Sequence, residues 1–258
     1  MAPELGTIDL NSDLGESFGP YVIGDDVGLF GLISSANVAC GFHGGDPRIM
    51  EQTVAAARAH GVAVGAHPGF LDLVGFGRRA IAATPEEVRT DVLYQLGALD
   101  AFCRGAGVAL QHVKPHGALY NVAVSQPAVA EAIAAAVRTY NPDLILLAQP
   151  GTALIAAGEA AELRVAREGF ADRAYNADGT LVSRQISCAL ITDPAEAATR
   201  MLRLVTERRL RTLDGEDLEL SVDSICTHSD TPGALAIVRA VRDRLEAAGI
   251  AVRPLGTG

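Results

Sequence analysis

One lysine, Lys114, stands against twenty arginines in the 258 residues. Where charge alone is needed this chain uses guanidinium, so a solitary lysine marks a position where arginine will not serve. Lysine is a compact point charge whose pKa burial can shift, which suits proton transfer or the gripping of a single oxygen. No G-x-x-x-x-G-K-[ST] segment occurs, and the lysine sits in a strand context, so a Walker-type phosphate loop is excluded. No apolar stretch approaches the ~20 residues of a membrane span, and no basic segment followed by an apolar run opens the chain. The expectation is a cytoplasmic protein.

The net charge is -10, and the only basic cluster, Arg208, Arg209 and Arg211, falls at an expected helix end. This balance argues against a nucleic-acid partner. Cys40, Cys103, Cys188 and Cys226 are spread without zinc-ribbon or thioredoxin spacing. They read as reduced thiols, with Cys103 and Cys188 as buried fillers. Cys40 and Cys226 adjoin candidate site residues.

Apolar runs of strand length recur at Thr7 to Asp13, Ala36 to Cys40, Val62 to His67, Leu110 to Pro115, Leu144 to Gln149, Leu163 to Glu168, Ser224 to His228 and Ile250 to Pro254. Helix starts are marked by Asp46-Pro47, Thr84-Pro85 with Glu87, Asp193-Pro194 with Glu196, and Thr231-Pro232, each a capping residue before a first-turn proline. Alternating strands and helices imply a parallel sheet. Seven or eight such units without a low-complexity linker predict one α/β domain over residues 1–258, a single TIM-like (β/α) barrel, with an open doubly wound sheet as the competing architecture. The functional face would lie at the carboxyl ends of the strands. Tyr175 to Ser187 is the least regular segment, a hairpin or an inserted loop.

Polar residues gather at those strand ends. Alternation puts Asp9, Asn11 and Asp13 on one face of the first strand, opposite Ile8 and Leu10. The following Gly15-Glu16 does not make a calcium loop, because the twelfth position is Pro20. A carboxylate-rich strand end remains, suited to metal binding, general-base work or holding an amide. Cys40 to Pro47 joins strand to helix through Gly41, Gly44 and Gly45 around His43, a form able to hold an anion at a helix N-terminus. His67 ends the third strand above small inner neighbours Ala63 and Gly65, which would leave room for a ligand. His60 reads as a C-terminal helix cation. His112, Lys114 and His116 share a face of the fourth strand, where burial and flanking imidazoles would depress the lysine pKa. Gln149, Glu168 and His228 end later strands, Ser229 and Asp230 open the last loop, and Arg78, Arg79 and Arg173 suit carboxylate or phosphate recognition.

The segments IDLNSDLGESFG, SANVACGFHGGDP, GVAVGAHPGFLDLVGFGRR, HVKPHGALYN and REGFADRAYNADGTLVSR closely resemble the LamB/YcsF family over about residues 7 to 250. The resemblance implies a barrel like that of glycoside hydrolases and deacetylases. It also implies the A component of an ATP-dependent 5-oxoprolinase, which opens 5-oxo-L-proline to L-glutamate together with B and C subunits. ATP would activate the lactam by phosphorylating its oxygen, with the nucleotide held by Gly41 to Asp46, by Phe70 to Arg79, or chiefly by one of those partners. Asp13 would be base or metal ligand, His43, His67 and His116 would share proton transfer or metal binding, and Lys114 would stabilise developing negative charge. Asp9, Asn11, Glu16, Gly44, Gly45, Asp46, Arg78, His112, Asn121, Glu168, Arg173 and His228 would hold substrate. In distantly related deacetylases an Asp and two His bind a divalent metal, for which Asp13, His43 and His67 are the match. Two alternatives stand beside this: a metal-dependent amide or carbohydrate deacetylase acting alone, and a lactam-binding protein without chemistry of its own.

Overall fold

The computed structural model describes residues 6–256. In chain order the elements are β1 (Thr7–Leu14), α1 (Asp26–Leu29), β2 (Ser35–Ala39), α2 (Pro47–His60), β3 (Ala63–His67), α3 (Pro85–Ala106), β4 (Leu110–Val113), α4 (Gly117–Ser125), α5 (Pro127–Tyr140), β5 (Ile145–Ala148), α6 (Ala153–Ala160), β6 (Arg164–Phe170), α7 (Pro194–Glu207), β7 (Arg209–Arg211), β8 (Asp217–Glu219), β9 (Ser224–His228), α8 (Ala234–Ala247) and β10 (Ala251–Val252). Strands β1 to β6 and β9 pair in parallel, and β9 pairs back onto β1, so seven strands close a barrel. The short β10 adds to the start of β1 through Thr7 and Ile8. The expected TIM-like barrel is therefore present with seven closing strands, and the open doubly wound sheet is not the architecture. Among the described residues no helix is long and apolar enough to cross a membrane.

The helix signals act as read at three starts. Asp46 accepts from the Arg48 and Ile49 amides, Thr84 and Glu87 form a capping box, and Asp193 accepts from the Ala195 and Glu196 amides. The fourth differs. Helix α8 begins at Ala234 after Gly233, and the Thr231 hydroxyl instead donates to Asp172. The arginine cluster also differs: Arg208 caps α7 in the left-handed conformation, and Arg209–Arg211 pair with Asp217–Glu219 in an antiparallel ribbon. Cys188 is exposed rather than a buried filler, whereas Cys103 is buried as expected.

The barrel interior is polar where it meets the site. Asp9 accepts from Ser34 and Ser35 at 2.7 and 2.6 Å and from Ser224. Asn37 donates to both Asn11 and Asp13 at 2.8 Å. Register explains how this layer closes across the sheet. Gly65 pairs with Asn37 on one side and His112 on the other, and His112 Nε2 donates to Asn37 Oδ1 at 2.8 Å across the position where a side chain would stand. A Cβ on Gly65 would sit 2.1 Å from His112 Nε2. The space beside Gly65 is thus filled by the His112 ring and is not room for a ligand. Gly65→Ala should destabilise the protein by roughly 1–3 kcal/mol through overpacking. Thermal denaturation of G65A, H112A and the double variant tests this, because the double variant should cost less than the sum of the singles.

Candidate active site

A cavity of about 500 Å³ opens at the carboxyl ends of the strands. Its floor carries Asp13, His67, Lys114 and His116, and its walls include Arg78, Asn121, Phe170, Arg173, Arg184 and His228. Strand β4 stops at Val113 because Pro115 cannot continue the ladder. Two further backbone bonds, Lys114 N–H to Ala66 O and His116 N–H to Pro68 O, keep the alternation in register beyond it. Lys114 and His116 therefore still point inward.

The Lys114 ammonium donates to Asp13 Oδ1 and to Cys226 Sγ, each at 2.9 Å, and lies 3.3 Å from Glu168 Oε2. Burial works against this charge, but Asp13, Cys226 and Glu168 more than offset it and hold the lysine well above its ordinary range. The depressed lysine expected from flanking imidazoles is overturned for that reason: its neighbours are carboxylates, and His112 turns away to Asn37. Burial, followed by Lys114 and His67, pushes His112 down to about 3, so it is a neutral ring. Burial alone would raise the Asp13 carboxyl, yet His67, Lys114 and His228 hold it well below the usual carboxylate range. An acid held so firmly ionised orients charge better than it accepts a proton.

Beside Lys114 stands an imidazole cluster. His43 and His116 stack with centroids 3.6 Å apart, and His67 meets His116 edge-on. Glu16 Oε1 lies 3.2 Å from His43 Nε2 and 3.3 Å from His116 Nδ1, while His67 Nε2 lies 3.3 Å from Asp13 Oδ2. Burial, then neighbouring imidazoles, holds His43 and His116 well below the ordinary histidine range. Burial also raises Glu16 well above its usual value, with Asp13 and Asp230 adding to it. Glu16, His43, His67 and His116 are placed so that all four could ligate one ion. The Asp13, His43 and His67 set expected from sequence is not the group that converges. Asp13, Cys226 and His228 form a second convergent group, but the Lys114 ammonium already occupies it.

On the opposite wall His228 Nδ1 donates to Asp172, 2.9 Å from its Oδ2, which leaves Nε2 facing Asp13 Oδ2 at 4.0 Å. Asp172 is fully buried; burial would raise its carboxyl, but His228 and Thr231 pull it down to about 2. Arg173 is lowered to about 10 by burial and by Arg184, and so remains a cation. Arg78 pairs with Asp230 at 2.7 Å at the rim.

Several expected substrate contacts lie elsewhere. Asp9, Asn11, His112 and Glu168 are buried beneath the cavity floor. A Cβ on Gly44 or Gly45 would sit 2.9 Å from the Glu16 or Gly15 carbonyl oxygen, so these glycines serve close backbone packing. Asp46 caps α2 with its own carboxylate and accepts from the Gly19 amide, which fills the anion position expected there. Sequence reasoning does not single out Asp172 or Arg184, whose signal is their place in the segment REGFADRAYNADGTLVSR that carries the family resemblance.

The fold and site define the chain as a (β/α)-barrel protein with an enclosed carboxylate, imidazole and lysine centre. It belongs to the LamB/YcsF family, whose profile matches residues 8–258. The 5-oxoprolinase A subunit of Symbiobacterium thermophilum is 54% identical over 245 residues, covering 95% of this chain and 94% of that one. Its counterpart of the same name in Thermus thermophilus is 52% identical over 246 residues, covering 95% and 98%. The crystal structure of a lactam utilization protein from Thermus thermophilus superposes with a TM-score of 0.92 at 51% identity, covering 96% of this chain and 99% of that chain. A putative cellobiose-phosphate cleavage protein from Enterococcus faecalis shares the fold, with a TM-score of 0.53 at 17% identity, covering 96% of each chain.

The Asp172 shift predicts an acid limb in stability. A depressed folded pKa stabilises above the unfolded value of 3.8, and that contribution is lost as pH falls through about 2. Between pH 5 and pH 2 the wild type should lose about 2 kcal/mol relative to Asp172→Asn in urea denaturation. A constant difference between the two proteins over that range would refute the pairing.

Proposed function

We propose that this chain is the A subunit of an ATP-dependent 5-oxoprolinase, a hydrolase system that opens the lactam of 5-oxo-L-proline to L-glutamate. The observation that carries the proposal is a cavity with one buried, charged lysine at its floor and three guanidinium groups, Arg78, Arg173 and Arg184, on its walls. Near-full-length relatives named for this activity support it. A five-membered lactam is resistant to direct hydrolysis, and phosphorylation of its oxygen would make a leaving group, which accounts for ATP. Guanidinium groups suit both the substrate carboxylate and such a phosphate. The chain carries no Walker-type loop, and Asp46 fills the anion position of Gly41 to Asp46, so in this reading nucleotide is handled by Phe70 to Arg79 or chiefly by the B and C subunits.

In this reading the Lys114 ammonium meets negative charge growing on the lactam oxygen, with Asp13 holding it in place. His228, with its Nδ1 proton committed to Asp172, presents Nε2 as the base for the attacking water. Asn121 and Arg173 hold the substrate carboxylate from the wall. A divalent ion held by Glu16, His43, His67 and His116 would supply Lewis-acid polarisation of a bound oxygen. The charge at the floor favours chemistry over a lactam carrier, and the guanidinium lining favours an anion over a neutral acetylated sugar.

Two measurements decide the matter. Hydrolysis of ATP that depends on 5-oxoproline should be absent with this chain alone and appear once B and C are added; turnover of the lactam without ATP or partners would favour a hydrolase acting alone. Lys114→Arg and Lys114→Gln should each lower glutamate release by the assembled complex by roughly 10²–10³-fold, read on protein that circular dichroism shows to be folded, because Lys114→Gln also leaves Asp13 and Glu168 buried without their cation. Near-normal turnover in either variant removes the lysine from the reaction.

A further inference from the structure

The protons of the imidazole cluster can be placed from its hydrogen bonds. His67 Nδ1 lies 2.6 Å from the carbonyl oxygen of Lys114, and His116 Nε2 lies 2.8 Å from that of Phe76. A carbonyl oxygen only accepts, so each of those nitrogens must carry its ring's proton. While both rings are neutral, the remaining nitrogens, His67 Nε2 and His116 Nδ1, face each other as lone pairs 3.0 Å apart, with Asp13 Oδ2 3.3 Å from the former. Glu16 Oε1 adds a third acceptor 3.3 Å from His116 Nδ1, and His43 Nε2 lies 3.2 Å from that same oxygen. His43 Nδ1, on the far side of its ring, is buried without a hydrogen-bond partner. Apart from a proton on Glu16, which an ion would displace, no donor from another described residue enters between the facing nitrogens, and acceptors this close repel unless a proton or a metal cation lies among them.

We propose that Glu16 Oε1, His67 Nε2, His116 Nδ1 and His43 Nε2 form a binding site for one borderline divalent cation of the zinc or cobalt class. Three imidazoles and one carboxylate are the donor set such ions prefer, whereas magnesium and calcium require oxygen. A tetrahedral ion with bonds of ~2.0–2.1 Å keeps its ligands about 3.3 Å apart, close to the 3.0 Å of His67–His116, the 3.2 Å of His43–Glu16 and the 3.3 Å of His116–Glu16, and His43 must tilt out of its stack on His116 to bind beside it. The two backbone carbonyls behind His67 and His116 do what outer partners of metal-bound histidines do, fixing tautomer and ring orientation. His67 and His116 also line the cavity, so an ion enters from the substrate side, and with four protein ligands it would take up a further oxygen by expanding to five-coordinate. The site rests on this geometry alone and stands whether or not the substrate is a lactam.

Metal retention tests it without reference to activity. Chelator-stripped protein would be equilibrated with Zn²⁺ or Co²⁺ and dialysed, then read by elemental analysis and by the visible absorption of the cobalt form. Wild type and the surface variant His60→Gln should each retain about one equivalent, and the cobalt form should show the intense bands of a four-coordinate ion. Glu16→Gln and His116→Ala should weaken binding beyond the ~10–100-fold that loss of an outer partner costs, with circular dichroism unchanged. If either variant fails to fold, anomalous diffraction from zinc-soaked wild-type crystals replaces it, with a peak expected among these four side chains. Failure of wild type to retain an ion, retention unchanged in the variants, or a peak at Asp13, Cys226 and His228 instead would overturn the site, and the facing nitrogens would then share a proton.

Discussion

The buried ammonium of Lys114 is the constraint around which the barrel mouth is organised. An isolated charge in such a place would be too costly to keep, so its neighbours must be anions held at hydrogen-bonding distance. Asp13 and Glu168 meet that need from β1 and β6, two strands that both border β9. Asp13 is positioned in turn by Asn37, and Asn37 by His112 across Gly65. Removing one partner would leave a buried charge without its counterpart, so the set holds together only as a whole.

This network also divides the barrel by depth. Asp9 with its serines forms a closed polar layer at the bottom, Asn11, Asn37 and His112 form the next, and only the third layer reaches the cavity. Histidines of one sequence motif therefore do unlike work. His112 completes the second layer, while His116, four residues on, joins the convergent acceptors above it. Polar residues take the place that aliphatic layers fill in most barrels of this kind.

Much of this is legible in the sequence because strand alternation is strict. A period of two places Asp9, Asn11 and Asp13 inward together and does the same for His112, Lys114 and His116. What alternation cannot supply is the partner across the barrel. Lys114 and Cys226 are 112 residues apart, and Asp172 and His228 are 56 apart, so no local pattern links them. The sign of the Lys114 shift comes out wrong from sequence for the same reason: its neighbours along the strand are imidazoles, but its neighbours in space are carboxylates. The Gly41 to Asp46 loop misleads because a glycine needed for close packing and one needed for an anion look alike in sequence. Loop-borne groups such as Arg184, and the carbonyls of Lys114 and Phe76 that fix two tautomers, depend on backbone paths that periodicity does not describe.

Closure of the barrel through β1 bears on how the molecule is made. The first strand carries Asp9, Asn11 and Asp13, yet its lateral partners include β9 and β10, which are synthesised last. Until Ser224 to His228 emerge, β1 has one free edge and its inward carboxylates lack half of their surroundings. Pairing across more than 200 residues carries a large loop-closure cost and is slow to form. The centre therefore comes into being only at the final closing step, and an incomplete chain would present an open sheet edge instead of a site.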